Sequence, residues 1–450
     1  MTDKNLLSHL PTDTETLEAF VVDISGALRG KWVPRENMEK VFKSGLRIPR
    51  SIYAVDIWGQ DVLPAGLVAE TGDNDGICRA VPSSLKPIPW SPRPLAQVLM
   101  SMEDGNGKPF FADPRHVLAK VLSLYKKEGL TPVVAAELEF YLLDCKPDER
   151  GRPQPPLSPV TGKRVHAAQI LGLGETAEFS NVLSDIASAC RTQDIPADTI
   201  ISENGPGQFE INLYHVPDAL QAADHAVLLK RAIKGVASQH GMSATFMAKP
   251  YAGQSGSGMH VHFSVLDKKG KNIFAGKDAK GTPALKHAIG GLMAAMQDSM
   301  AILAPNANSY RRFRAGSHAP TKIAWGYDNR SCSLRVPESD IDATRIEYRV
   351  AGADVNPYLV LAVILAAALD GLKKKTAPPP PVKGNAYAGK AKTLPDTWDA
   401  ALTLFKDSKF IEKYLGRDYK KLYLACKLQE KETLASEVTS AEHDAYLRDV

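Results

Sequence analysis

Apolar residues alternate with carboxylates, imidazoles and guanidines at several places along the chain, with the period of two that marks a strand. In 133–143, Val134, Ala136, Leu138, Phe140 and Leu142 form one face. Glu137 and Glu139 share the other, roughly 7 Å apart along an extended backbone. Phe209, Ile211 and Leu213 likewise oppose Gln208, Glu210 and Asn212. Met259, Val261, Phe263 and Val265 oppose His260, His262 and Ser264, and Ile346, Tyr348 and Val350 oppose Arg345, Glu347 and Arg349. A fifth stretch, 329–336, sets Arg330 and Arg335 near one more strand.

Around these strands the pattern predicts a hairpin over 17–33 that turns at Ser25-Gly26, within a Pro- and Gly-rich, mostly β region. Asp104-Gly105-Asn106-Gly107 marks a turn, and Asp113-Pro114 then opens a helix whose apolar Val117, Leu118, Val121, Leu122 and Tyr125 recur at helical spacing up to Gly129. Further helices are predicted over 177–191, 218–239, 282–303, 356–372, 397–414 and 418–438, and surface loops over 145–165 and 377–396. The expected domains are 1–111 and 112–450. Doubly wound parallel sheets are buried on both faces, whereas these strands carry charge on one. The expected class is therefore α+β: a curved, mostly antiparallel sheet with an open concave face, backed by helices. Neither GxGxxG nor GxxxxGK[ST] is present.

Composition narrows the function. Hydrophobic residues make up 44% and charged residues 24%, ordinary for a soluble globular protein. The net charge of +4 is the small difference between 55 basic and 51 acidic groups, with no basic stripe to suit nucleic acid. Five cysteines without CxxC spacing suit a reducing cytoplasm. The N-terminal 16 residues are polar, and the most apolar run, 358–369, is too short for the roughly 20 residues of a membrane helix.

Glu137, Glu139, Glu203, Glu210 and Glu347 with His260 make an oxygen-rich donor set that favours Mg²⁺ or Mn²⁺ over zinc. About five negative charges call for two or three divalent ions. Arg312, Arg330, Arg335 and Arg349 stand close by in sequence, and guanidinium forks clamp carboxylate and phosphoryl oxygens. Each strand taken alone also reads as an exposed face, a structural histidine pair or a surface ion-pair ladder. The repetition, with Gly-rich approaches at 205–207 and 256–258, favours a metal and polyphosphate site.

Gly256-Ser257-Gly258-Met259-His260-Val261-His262, Asn308-Ser309-Tyr310-Arg311-Arg312, Asn329-Arg330-Ser331-Cys332-Ser333-Leu334-Arg335-Val336-Pro337 and Arg345-Ile346-Glu347-Tyr348-Arg349 resemble the glutamine synthetase superfamily. The resemblance implies an N-terminal β-grasp domain, a C-terminal catalytic domain, and a dodecamer of two hexameric rings with active sites between subunits. By position it implies Glu139, Glu203 and Glu210 as ligands of a first metal, and Glu137, His260 and Glu347 as ligands of a second beside ATP. It also implies Gly256, Arg312 and Arg349 as glutamate contacts, Arg330 and Arg335 near the phosphates, and His262 and Ser264 as nucleotide contacts. The implied reaction passes ATP's phosphoryl group to the γ-carboxylate of L-glutamate, then joins the acyl group to an amine.

Departures from the family pattern bear on the amine. The flap motif Pro-Gly-Tyr-Glu-Ala-Pro is here Ala315-Gly316-Ser317-His318-Ala319-Pro320, so His318 replaces an acid. Ile48 stands at an aspartate position before Pro49-Arg50-Ser51-Ile52, and Ser255 replaces an asparagine. Losing two carboxylates weakens the attraction for ammonium and favours a primary amine with apolar carbon. Stretches such as Ala136-Glu137-Leu138-Glu139-Phe140-Tyr141 and Phe246-Met247-Ala248-Lys249-Pro250 look most like the glutamate–putrescine ligase branch, whose relatives also take spermidine or monoamines. His318 is read as a base for the attacking amine or as a flap lining, and Tyr387 as an ordinary loop tyrosine rather than a modification site. Rival readings are a monoamine ligase (for ethanolamine, for example), a glutamine synthetase, a guanidino phosphotransferase and a catalytically silent member of the fold.

Overall fold

The hairpin forms as the alternation predicts: β1 (Thr16–Val22) and β2 (Leu28–Pro34) pair antiparallel, and Gly26 takes the left-handed φ of +85° that the turn needs. The computed structural model describes residues 7–314, 316–448 and 450. Residues 1–6 of the expected first domain and Ala315 of the flap run lie outside the described residues. β3 (Leu46–Pro49), β4 (Asp75–Ala80), β5 (Lys86–Pro87) and β6 (Leu95–Glu103) complete a six-stranded sheet, ordered β2-β1-β6-β4-β3 with β5 against β6. Its central pair, β1 and β6, is parallel and the flanking pairs are antiparallel, a β-grasp arrangement.

The second sheet has eight strands: β7 (Thr131–Asp144), β8 (Ala197–Ser202), β9 (Gln208–Leu213), β10 (Met242–Thr245), β11 (Met259–Leu266), β12 (Trp325–Tyr327), β13 (Leu334–Val336) and β14 (Ile346–Tyr348). The order is β12-β13-β14-β11-β7-β9-β8, with β10 on β7, and every pair but β12–β13 is antiparallel. The fold is the α+β class expected. One face of β7 buries Val134, Ala136, Leu138, Phe140 and Leu142 against helices. The helix Pro114–Glu128 starts at Asp113, whose carboxylate accepts from the Arg115 N–H, and ends at Gly129 with φ +69°.

The apolar helix Pro357–Lys374 is capped by Asn356 and buried from Tyr358 to Leu369. Its Tyr358 hydroxyl donates to Asp224, which also takes a two-pronged bond from Arg115 at 2.9 and 3.0 Å. Among the described residues no helix is long and apolar enough to cross a membrane. Three predicted helices are each broken once. The segment 177–191 becomes Leu173–Glu178 and Ser180–Thr192, 282–303 becomes Pro283–Ala295 and Met300–Leu303, and 397–414 becomes Trp398–Asp407 and Lys409–Tyr414. At the last break the Ser408 side chain accepts from Ile411 N–H and starts a new helix, a local bond that competes with continuation.

A carboxylate and arginine cavity as candidate active site

Strand register sets the charged side chains side by side. Glu137 lies opposite His260, Glu139 opposite Glu210, and Glu347 opposite both His262 and Arg335. Directly opposed residues share one face of the sheet, so acids from three strands and a loop converge with bases from β11 and β13. They line a cavity of about 570 Å³. Glu137, Glu139, Glu203, Glu210, Gly256, His260, His262, Arg312, His318, Arg330, Arg335 and Arg349 all contribute to its wall. Glu347, 0% exposed, sits behind it. Ser264, on β11, is not among the lining residues.

Two trios bring their ligand atoms within 4.8 Å of one another: Glu137, His260 and Glu347, and Glu139, Glu210 and His260. The first coincides with the second-metal set expected from the sequence. The second takes in two of the three residues expected at the first metal, with Glu203 on the wall beside them.

Charge balance is uneven across the cluster. Burial opposes ionisation of Glu137, but His260 Nδ1 at 3.4 Å and His262 Nε2 at 2.9 Å outweigh it and hold the carboxyl well below the usual range. The 2.9 Å approach is off hydrogen-bond angle. Arg345 Nε donates to His262 Nδ1 at 3.2 Å, which leaves the neutral ring's proton on Nε2, facing Glu137. Burial opposes ionisation of Glu347 too, yet Arg349 and the two histidines hold it at about 2. Arg335 Nη1 donates to Glu347 Oε2 at 2.8 Å, and Arg349 Nη1 to Oε1. On the other side the sign reverses. Burial and then Glu203 push Glu139 up to about 7, and burial with repulsion from Glu137, Glu139 and Glu203 pushes Glu210 up to about 10. Burial also raises Glu203, and burial with the nearby Arg349 lowers His260 to about 4. Such crowded, partly protonated carboxylates are a ready donor set for divalent cations.

Glycines let the arginines approach. A Cβ on Gly258 would fall 2.6 Å from Arg312 Nη2 and 3.1 Å from His260 Nε2, and one on Gly256 would fall 2.8 Å from Arg312 Cγ. Gly258 N–H donates to Glu139 at 2.8 Å, and Gln208 Nε2 to the Gly256 carbonyl at 3.1 Å. Arg312 is buried and donates to the Val350 carbonyl at 2.8 Å. His318 is exposed, with φ +59°, on the flap, and the Tyr387 hydroxyl donates to the flap's Ala319 carbonyl at 3.1 Å.

Some cavity residues escaped the sequence reading. Arg345 showed as a charged strand position, and its place on the cavity wall and its bond to His262 tie it to the site. Ile170, Leu171 and Ile201 also line the wall. For Ile170 and Leu171 the one signal was an apolar pair bracketed by Gln169 and Gly172 in a stretch with no clear period, whereas Ile201 lies on β8.

The cavity is that of a family of ligases. The chain belongs to the glutamine synthetase family, with residues 111–446 matching its catalytic domain. It is 41% identical over 445 residues to the γ-glutamylputrescine synthetase PuuA of Escherichia coli K12, covering 99% of this chain and 94% of that protein. It is 34% identical over 446 residues to a glutamate–isopropylamine ligase from a Pseudomonas species, covering 96% and 95%. The solved structure of a GmaS/ADP complex superposes with a TM-score of 0.84 at 26% identity, covering 97% of each chain.

Proposed function

We propose that the protein is an ATP-dependent ligase that joins the γ-carboxylate of L-glutamate to a primary amine, with putrescine or another polyamine as the first candidate. The observation that carries this reading is the pair of overlapping ligand trios facing Arg312, Arg330, Arg335 and Arg349 in one cavity. Glu139, Glu203 and Glu210 would hold one Mg²⁺ or Mn²⁺, and Glu137, His260 and Glu347 a second. Bound there, the ions would neutralise charge on ATP's phosphate oxygens. Arg330 and Arg335 would meet the phosphates, His262 and Ser264 the nucleotide, and Gly256, Arg312 and Arg349 the glutamate.

In the first step a γ-carboxylate oxygen attacks the terminal phosphorus of ATP, and ADP leaves. In the second the amine nitrogen attacks the acyl carbon, the C–N bond forms, and the C–O bond breaks as phosphate departs with its electron pair. His318 would accept the amine's surplus proton, since an imidazole is the better base near neutral pH. Relatives named for putrescine and for isopropylamine support an alkylamine acceptor.

The same reading divides the chain at residues 111 and 112, places the enzyme in the cytoplasm, and assembles it as two stacked hexameric rings. Phosphate release from ATP and glutamate, tested with ammonium, putrescine, spermidine, ethanolamine and isopropylamine, decides it. Turnover with ammonium alone overturns the amine assignment, and turnover with none leaves a silent member of the fold.

A further inference from the structure

Three large apolar side chains stand exposed within four positions, Ile170 at 58%, Leu171 at 64% and Leu173 at 83%, and the first two line the cavity. Leu171 also adopts φ +59°. A bulky residue in the left-handed region is an outlier that persists only where its surroundings hold it. Here they do. Leu171 N–H donates to the Ser202 carbonyl at 2.9 Å, and the Ser202 hydroxyl reaches the Gln169 carbonyl at 3.3 Å and Glu175 at 2.8 Å. Glu175 in turn accepts from Gly207 N–H at 3.0 Å. The segment carrying Leu171 is thereby stitched to both ends of the loop that bears Glu203.

Ile170, Leu171 and Ile201 line the same cavity as the carboxylates and His318. Its wall is otherwise dominated by charged and polar groups, which recognise phosphate, carboxylate and metal but offer nothing to a hydrocarbon chain.

We propose that Ile170, Leu171 and Ile201 form an apolar shelf that receives the methylene groups of the acceptor amine, with Leu171 as its specificity-determining residue. This deepens the ligase reading and rests on it. The shelf recognises a carbon chain rather than a distal charge, because its three side chains carry none, and its open side leaves a far-end ammonium in water. It therefore discriminates against ammonium by withholding contact area, not by repulsion.

The test is kcat/KM across methylamine, ethylamine, propylamine and butylamine, with γ-glutamyl hydroxamate formation from hydroxylamine as a separate readout. Full burial of a methylene corresponds to about a fourfold gain, so a half-open shelf gives the wild type about twofold per carbon. Leu171→Asn, a residue that tolerates the left-handed region, flattens that series, and Leu171→Met restores the rise. A flat series in a wild type that makes hydroxamate overturns the shelf and leaves the ligase reading standing. A wild type that makes no hydroxamate overturns the ligase reading itself. A Leu171→Asn protein that changes its oligomeric state while the series keeps its slope overturns the proposal in favour of an interface between copies of the chain.

Discussion

Loading the carboxylate cluster with a divalent cation should expel protons, because two of its carboxyls are held protonated by burial and mutual repulsion. Metal ligation needs ionised carboxylates. Glu210 is pushed up to about 10 by burial and by Glu137, Glu139 and Glu203, and Glu139 to about 7 by burial and by Glu203. At pH 7.5 the first group is largely protonated and the second partly so, for a release of about one proton from these two groups. Calorimetric titration with Mn²⁺ in buffers of different ionisation enthalpy measures this number directly. Affinity should rise about tenfold per pH unit between 7.5 and 9.

Stability without metal should move the opposite way. Both folded-state values lie above the ordinary 4.5 of an unfolded glutamate, so the folded chain binds the extra protons. Their contribution is complete below about pH 4.5 and is lost as pH rises through about 7 and then about 10. In chelator, Tm should fall between pH 6 and 9, and added divalent cation should reverse the fall. Proton release near zero at pH 7.5, with pH-independent affinity, would refute the reasoning.

Two further outcomes are expected. Gly258→Ala drives a methyl toward Arg312 and His260, and the misplaced guanidinium should lower kcat/KM for glutamate by on the order of a hundredfold, measured by ADP release at saturating ATP. His318→Ala should slow amide formation from an alkylammonium by on the order of a hundredfold, measured as phosphate release at saturating ATP and glutamate. The loss should be smaller with hydroxylamine, which reacts already uncharged.

The alternation in β7, β9 and β11 made the metal-ligand face legible because one buried face forces the other outward, and a slip of one residue would have inverted both. Cross-strand register was not legible. Nothing in the chain states that Glu137 meets His260 or that Glu347 meets Arg335, since those pairings join residues more than 100 positions apart in the first case and across a loop in the second. Helix breaks at Phe179 and Ser408 were missed because apolar spacing continues through them while a local hydrogen bond or an irregular residue resets the helix. The apolar wall at Ile170 and Leu171 was invisible for a different reason. It lies on a loop fixed by backbone bonds to Ser202, and a loop has no period to read.

Glu347 links the two charge systems of the cavity. Its carboxylate belongs to the trio with Glu137 and His260, yet Arg335 holds one oxygen and Arg349 the other. A cation at that trio therefore competes with guanidinium for the same lone pairs. Arg335 is the weaker hold to lose, because Asp328 also accepts from it, its Nε at 3.1 Å, and can keep it in place. Arg335→Ala removes the competitor and one positive charge together, so Mn²⁺ should bind at least about tenfold more tightly while turnover of ATP collapses, since about 1.4 kcal/mol gives that factor and a close pair at the effective dielectric of a partly buried site is worth more. Binding titrations without nucleotide isolate the first effect from the second. An unchanged or weaker Mn²⁺ affinity would show that the carboxylate of Glu347 serves the arginines and not the ion.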